Sequence, residues 1–199
     1  MVSCQPLKIT FQDGTLLLDA PATTSLPLAQ WGVFDDRVGQ WRAEARHYAA
    51  IILHLYRQGL AYDDQARAYE VLSLQWRRRH LPREYQQEAV DSWWSSGGRG
   101  LIVLPTGTGK SYVAHLAMAK VQRSTLVVAP TIDLMEQWAR QLEMAFGIQV
   151  GLLGGGSRDV LPLTISTYDS AAMMMDFIGN QFGLLVVDEC HHLPGPIYQ

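Results

Sequence analysis

The sequence predicts an α/β protein: a parallel sheet covered by helices, preceded by a smaller α/β module. Three observations predict it. From residue 83 onward, short apolar runs alternate with helical periods of about ten to fifteen residues, the pattern of parallel strands joined by covering helices. One apolar run, Leu101–Leu104, passes directly into the glycine-rich turn PTGTGKS and then into a helical pattern. Near the start, LKITFQDGTLLL sets two β-prone runs around Asp13-Gly14, a dipeptide that accepts positive φ and closes a tight hairpin.

Composition sets the frame. Of 199 residues, 48% are hydrophobic and 18% charged, enough apolar surface for a sizeable core and too much for a disordered chain. The net charge is −3, so nucleic acid cannot be held by a general positive field; contact needs a local basic patch or loops presenting N–H groups. Cys4 and Cys190 show neither zinc-ligand spacing nor a disulfide framework, which predicts a reducing, cytoplasmic setting. No apolar run approaches the ~18 residues of a membrane span, and the start lacks a signal-peptide pattern.

In chain order, the hairpin spans residues 7–18 and a loop covers 20–30. A helix is predicted from Arg42 to Arg57, with Ala45, Tyr48, Ala49, Ile52, Leu55 and Tyr56 on one stripe and Gly59 at its end. Residues 1–75 thus form the small module. WRRRHLP, residues 76–82, is a basic linker, and residues 83–199 form the second domain. There the expected order is helix 83–95, strand 101–104, helix 111–121, strand 126–129, helix 133–145, strand 163–166, helix 168–178 and strand 184–187. Gly154-Gly155-Gly156-Ser157 marks a loop. Trp41, Trp93, Trp94 and Met173–Met175 read as packing residues, and His47, His54, His80 and His115 show no ligand spacing.

The strand–turn–helix around LIVLPTGTGKS is the context of a phosphate-binding loop. Gly107 and Gly109 let successive N–H groups turn inward, and the start of the following helix adds positive potential. Lys110 reaches β- and γ-phosphates, and the Ser111 hydroxyl ligates Mg²⁺. The strict pattern asks for glycine at position 104, where this chain has Leu104. The run LLVVDECHH delivers Asp188 and Glu189 at the carboxyl end of an apolar strand, the edge where open parallel sheets bind ligands. Asp188 suits Mg²⁺, Glu189 suits polarising the attacking water, and His191 suits coupling to neighbouring elements.

LPREYQQEAV, LPTGTGKS, VVAPTIDLMEQW, ISTYDSA and DECH follow one another in the order of superfamily 2 helicase motifs. The first resembles a Q-type motif, the next motifs I, Ia and Ib, and the last a DEAH-box variant. TISTYDSA, GNQFGLLVVDECHHLP and FDDRVGQWRAEARHYAAIILHLYRQGL resemble the XPB family of repair helicases, particularly its archaeal and bacterial forms. The resemblance implies a RecA-like P-loop NTPase sheet, incomplete after motif II, behind a damage-recognition-like domain. It implies ATP and Mg²⁺ as cofactors, with Lys110, Asp188 and Glu189 catalytic. Gln86 then holds the adenine edge with Arg83 or Tyr85 beside the base, and Thr106, Gly107, Thr108, Gly109, Lys110 and Ser111 hold phosphates. Pro130, Thr131, Ser166 and Thr167 face a DNA backbone without reading sequence. The expected partners are DNA, a second RecA-like domain missing from these residues, and a nuclease or repair protein. The fragment is expected to bind ATP and DNA without efficient unwinding. A module that binds ATP and DNA without turnover, or the motor part of a restriction endonuclease, are the alternatives.

Overall fold

In the computed structural model, residues 6–192 are described, so Cys4 lies outside the described residues. The chain divides into two compact units: Met1–Ala68 with Met173–Gln181, and Tyr69–Ala172 with Phe182–Gln199.

The first unit is built on a mixed sheet ordered β3-β4-β2-β1-β5. Strands β1 (Leu7–Gln12) and β2 (Thr15–Leu18) form the expected hairpin, with Gln12 opposite Thr15. Its turn works because Asp13 and Gly14 both adopt positive φ, 49° and 73°. Strands β3 (Gly32–Asp35) and β4 (Gln40–Glu44) form a second hairpin, where a helix was expected to begin at Arg42. The helix α1 starts only at Tyr48 and runs to Arg57. The reason is pairing: Leu16, Leu17 and Leu18 of β2 find ladder partners in Ala43, Arg42 and Trp41. Asp35 closes the β3–β4 turn. The Arg37 side chain hydrogen-bonds both carboxylate oxygens at 2.9 Å and pulls the carboxyl down to about 2. Strand β5 (Tyr62–Gln65) adds in parallel to β1 and has too polar a sequence to be read as a strand. The α1 face that enters the core carries Ile51 and Leu55, while Tyr56 of the expected stripe is exposed.

Residues 173–181 cluster with this unit through main-chain contacts. Gly14 N–H donates to the Asp176 carbonyl at 3.1 Å, and Ala68 N–H to the Asn180 carbonyl at 2.9 Å.

The second unit carries a sheet ordered β10-β6-β9-β7-β8. Strands β6 (Thr125–Ala129), β9 (Leu163–Thr167) and β10 (Leu184–Val187) are parallel, and β7 (Gly151–Gly154) joins β9 in parallel. The short β8 (Ser157–Arg158) pairs back onto β7 around Gly155-Gly156. Helices α2 (Glu84–Ser95), α3 (Lys110–Val121), α4 (Ile132–Phe146) and α5 (Tyr168–Ile178) lie at or within two residues of their expected bounds, though α5 crosses from the second unit into the first. Helix α4 is the most clearly amphipathic: Met135, Trp138, Ala139, Leu142, Ala145 and Phe146 are buried. They pack on Val127, Ala129, Leu163 and Ile165 of the sheet.

Two further stretches fall differently from their expected elements. Residues 69–82, divided by the sequence reading between the small module and a linker, cluster with the second unit. Their backbone is hydrogen-bonded there: Leu72 N–H to the Gln122 carbonyl, and Arg77 N–H to the Ala145 carbonyl. Leu74 is buried in the core of that unit, with Leu72 and Trp76 packed against it. Leu101–Leu104 is not a strand. It keeps the in–out alternation of one, with Ile102 and Leu104 packed near Val90 and Val113 while Leu101 and Val103 are exposed. It has no ladder partner among the described residues. A cavity of about 560 Å³ is lined by this segment on one side and β10 on the other.

Helix α3 buries His115 beside the rings of Tyr112, Trp138 and Phe146. Among the described residues its Nε2 has no hydrogen-bond partner, and burial pushes its pKa down to about 4 from 6.5. The unfolded chain therefore takes up a proton near pH 6.5 that the folded chain refuses until about pH 4. Stability from this group is fully present above pH 6.5 and is lost as pH falls toward 4. Between pH 7 and 4.5, His115→Phe is expected to lose roughly 2 kcal/mol less stability than the unsubstituted chain, measured by urea denaturation at both pH values.

Candidate active site

The phosphate-type loop lies between the extended segment at 101–104 and α3. Gly107 and Gly109 take φ of 76° and 83°, left-handed values that only glycine adopts cheaply. Lys110 is the first residue of α3 and Ser111 the second, so both leave a helix N-terminus. Thr108 Oγ1 donates to the Pro105 carbonyl at 2.6 Å and tightens the turn.

The loop is braced from α2. Tyr85 Oη and Gln86 Nε2 both donate to the Thr108 carbonyl, at 2.8 and 2.9 Å. The other end of the Gln86 amide accepts from Arg83 N–H at 3.0 Å, and Gln86 is buried. The expected partner of this amide is an adenine edge. In the structure both its ends are engaged with the protein, and Arg83 caps α2 and donates to Tyr85 Oη at 3.0 Å.

On the other side of the cavity, β10 ends at Val187, and Asp188 N–H continues its ladder by donating to the Val128 carbonyl at 2.9 Å. The Asp188 carboxylate accepts from Trp138 Nε1 at 2.8 Å through Oδ2, and from Glu189 N–H at 3.0 Å through Oδ1. Tyr168 Oη donates to the Asp188 carbonyl at 2.6 Å. Trp138 and Tyr168 were not foreseen as site residues. The available signal was an indole on the buried face of α4, whose N–H must find an acceptor.

Glu189 sits at φ 49°, a left-handed value for a non-glycine residue. Its carboxylate meets Lys110 Nζ at 3.7 Å and His191 Nδ1 at 3.3 Å. Lys110 and Glu189 are 36% and 37% exposed, so this pair contributes at most about 1 kcal/mol and is readily given up to a ligand. Lys110, Ser111, Asp188, Glu189 and His191 all line the same cavity. A hydroxyl and a carboxylate there form an oxygen donor set of the kind Mg²⁺ takes, and the lysine with the turned glycines suits phosphate.

Pro130 and Thr131 lie at the start of α4, where Thr131 caps the helix by accepting from Leu134 N–H at 3.3 Å. Thr167 is half-buried and donates to Ser170 Oγ at 2.9 Å. Ser166 is corrected: it is fully buried inside β9 and donates to the Leu153 carbonyl at 2.9 Å, so its side chain does not face a DNA backbone. Among the described residues no cluster of three or more His, Cys, Asp or Glu side chains could hold a metal ion, and no helix is long and apolar enough to cross a membrane.

Fold and site define the class: an incomplete RecA-like sheet with a phosphate-type loop and an acidic pair at one cavity. Residues 79–199 match the family model described as type III restriction enzyme, res subunit, and the chain belongs to that family. Residues 9–66 match the model of the xeroderma pigmentosum group B helicase damage recognition domain. Among curated proteins, the chain is 36% identical to the DNA 3'-5' translocase XPB2 of Sulfurisphaera tokodaii, over 77% of this chain and 41% of that protein. It is 35% identical to the DNA 3'-5' helicase XPB of Mycobacterium tuberculosis, over 59% of this chain and 23% of that one. With the general transcription and DNA repair factor IIH helicase/translocase subunit XPB of Dictyostelium discoideum it shares 27% identity, over 59% of this chain and 17% of that one. The chain thus spans less than half the length of these relatives, and it resembles XPB-like superfamily 2 helicases over the matched residues.

A Cβ at Gly109 would lie 2.7 Å from Gln86 Nε2 and would need a left-handed φ. Gly109→Ala is therefore expected to strain the loop, lowering the melting temperature by roughly a few degrees and weakening Mg·ADP binding about tenfold, read by thermal denaturation and titration calorimetry.

Proposed function

We propose that this chain is the nucleotide-binding part of an XPB-type DNA translocase or helicase driven by ATP. The observation that carries the reading is the convergence of Lys110, Ser111, Asp188 and Glu189 on one cavity at the carboxyl end of a parallel sheet. Gly107, Gly109 and the start of α3 cradle phosphate oxygens, and Lys110 leaves Glu189 for the γ-phosphate. Ser111 and Asp188 hold Mg²⁺, which neutralises charge on the β- and γ-phosphates when bound. Glu189, released from Lys110, orients water toward the γ-phosphorus, and His191 beside it reports the state of that carboxylate to neighbouring elements. Gln86 contacts adenine by exchanging its hydrogen bond to Thr108, which ties base recognition to loop shape. Pro130, Thr131 and Thr167 present the DNA-facing edge, and contact there is with phosphate. A nuclease or repair protein and a second RecA-like domain complete the working assembly.

The motor of a restriction endonuclease is the second reading, favoured by the description of the family matched over residues 79–199. The damage-recognition match over residues 9–66 favours the XPB-type reading instead.

Two expectations test the proposal. The chain binds Mg·ADP, and Lys110→Ala removes binding while the circular dichroism spectrum is kept; equal affinity in both forms, by calorimetry, defeats the assignment. DNA binding is independent of sequence and falls steeply with salt, measured by anisotropy on unrelated duplexes across a salt series. Tight binding to one sequence that survives high salt contradicts it.

A further inference from the structure

Asp188 is held by more than its place in the sheet. Trp138, two turns into α4, is 4% exposed, and its indole N–H reaches the Asp188 carboxylate at 2.8 Å. An indole donates and cannot accept, so a buried one needs an acceptor. A main-chain carbonyl would satisfy that need. Here the acceptor is the carboxylate of the acidic motif, and the bond is charge-assisted. The His115 ring stands edge-on to the indole with centroids 5.6 Å apart, on the helix that begins with Lys110 and Ser111. The indole is thus wedged between the helix of the phosphate loop and the acidic residue.

The geometry points to Trp138 as a positioning residue for Mg²⁺, resting on the nucleotide-site reading above. An Asp carboxylate turns about its last torsion in a broad, two-fold well, and burial alone does not fix it. Two donors fix it here: Trp138 on Oδ2 and Glu189 N–H on Oδ1. A carboxylate has about four acceptor positions, so two remain to face the cavity. The indole thereby holds the carboxylate plane at the angle at which those two positions meet an ion or its bound water. Groups that orient a metal ligand in this way typically change metal affinity by about 10–100-fold when removed.

The test is Trp138→Phe, which keeps a buried aromatic ring and deletes the N–H. Binding of a fluorescent ADP analogue is measured across a Mg²⁺ series and again in EDTA. The expected result is a Mg²⁺ midpoint raised about tenfold or more, with affinity in EDTA unchanged. An unmoved midpoint overturns the proposal. An equal loss of affinity in EDTA also overturns it, because the indole would then serve packing alone. If the unsubstituted protein binds no analogue, the nucleotide-site reading fails and the proposal with it. Should Trp138→Phe not fold, the indole N–H resonance of Trp138 is followed in Asp188→Ala: a clear shift supports the bond, and an unmoved resonance overturns it.

Discussion

The hydrogen bond from Asp188 N–H to the Val128 carbonyl, at 2.9 Å, is the contact on which the site depends. It carries the ladder between β10 and β6 one residue beyond β10, in register with Val187 opposite Val128. Because β6 is likewise in register with β9, with Ala129 opposite Thr167, three chain segments reach the same edge together. One ends in Asp188, one in Pro130-Thr131 and one in Thr167. A slip of one residue would turn each side chain to the opposite face. Val127 and Ile165, fully buried and facing each other across the ladder, oppose such a slip by the apolar area they would expose.

Around that edge the structure stores charge in weak pairs. Lys110, Glu189 and His191 form a chain of contacts at 3.7 and 3.3 Å among half-exposed or exposed side chains. A tighter, buried Lys–Glu pair would oppose the exchange of partners proposed for Lys110, since breaking a buried pair leaves an uncompensated charge. The left-handed backbone of Glu189 sets its side chain beside Lys110 and His191 rather than continuing the line of β10. By contrast, the neighbouring Asp188 is fixed by four hydrogen bonds: from Trp138, Glu189 N–H and Tyr168, and through its own N–H to Val128. One carboxylate is held still and the next is held loosely, which matches an ion-holding group beside a group that must change partners.

Helix α4 ties the two edges of this arrangement. It begins at the Thr131 cap and carries Trp138 about 10 Å further along, at 1.5 Å per residue. Its buried face is seated on β6 and β9, so the turn that presents Thr131 and the indole that holds Asp188 belong to one rigid element. A loop in its place would leave the carboxylate's orientation subject to chain entropy.

What was legible in the sequence was what local chemistry dictates. Helix α4 was visible because its apolar period is unbroken, and the glycines at 107 and 109 were visible because positive φ has few alternatives. The hairpin at Asp13-Gly14 was visible for the same reason. What was hidden depends on a partner. QWRAE reads as the start of a helix until Leu16, Leu17 and Leu18 supply a ladder for it. YDDQ has no strand character of its own and becomes β5 only beside β1. Ser166 sits in a motif that reads as exposed loop, yet β9 extends far enough to bury it. Leu101–Leu104 shows the converse. Its four apolar residues are as strand-like as any in the chain, and they alternate inward and outward as a strand does. Propensity brings them to an extended shape and no further. β10 is the edge strand of its sheet and lies across the cavity, and among the described residues no strand pairs with Leu101–Leu104. A strand is a property of a pair, so no reading of one run alone could have decided it.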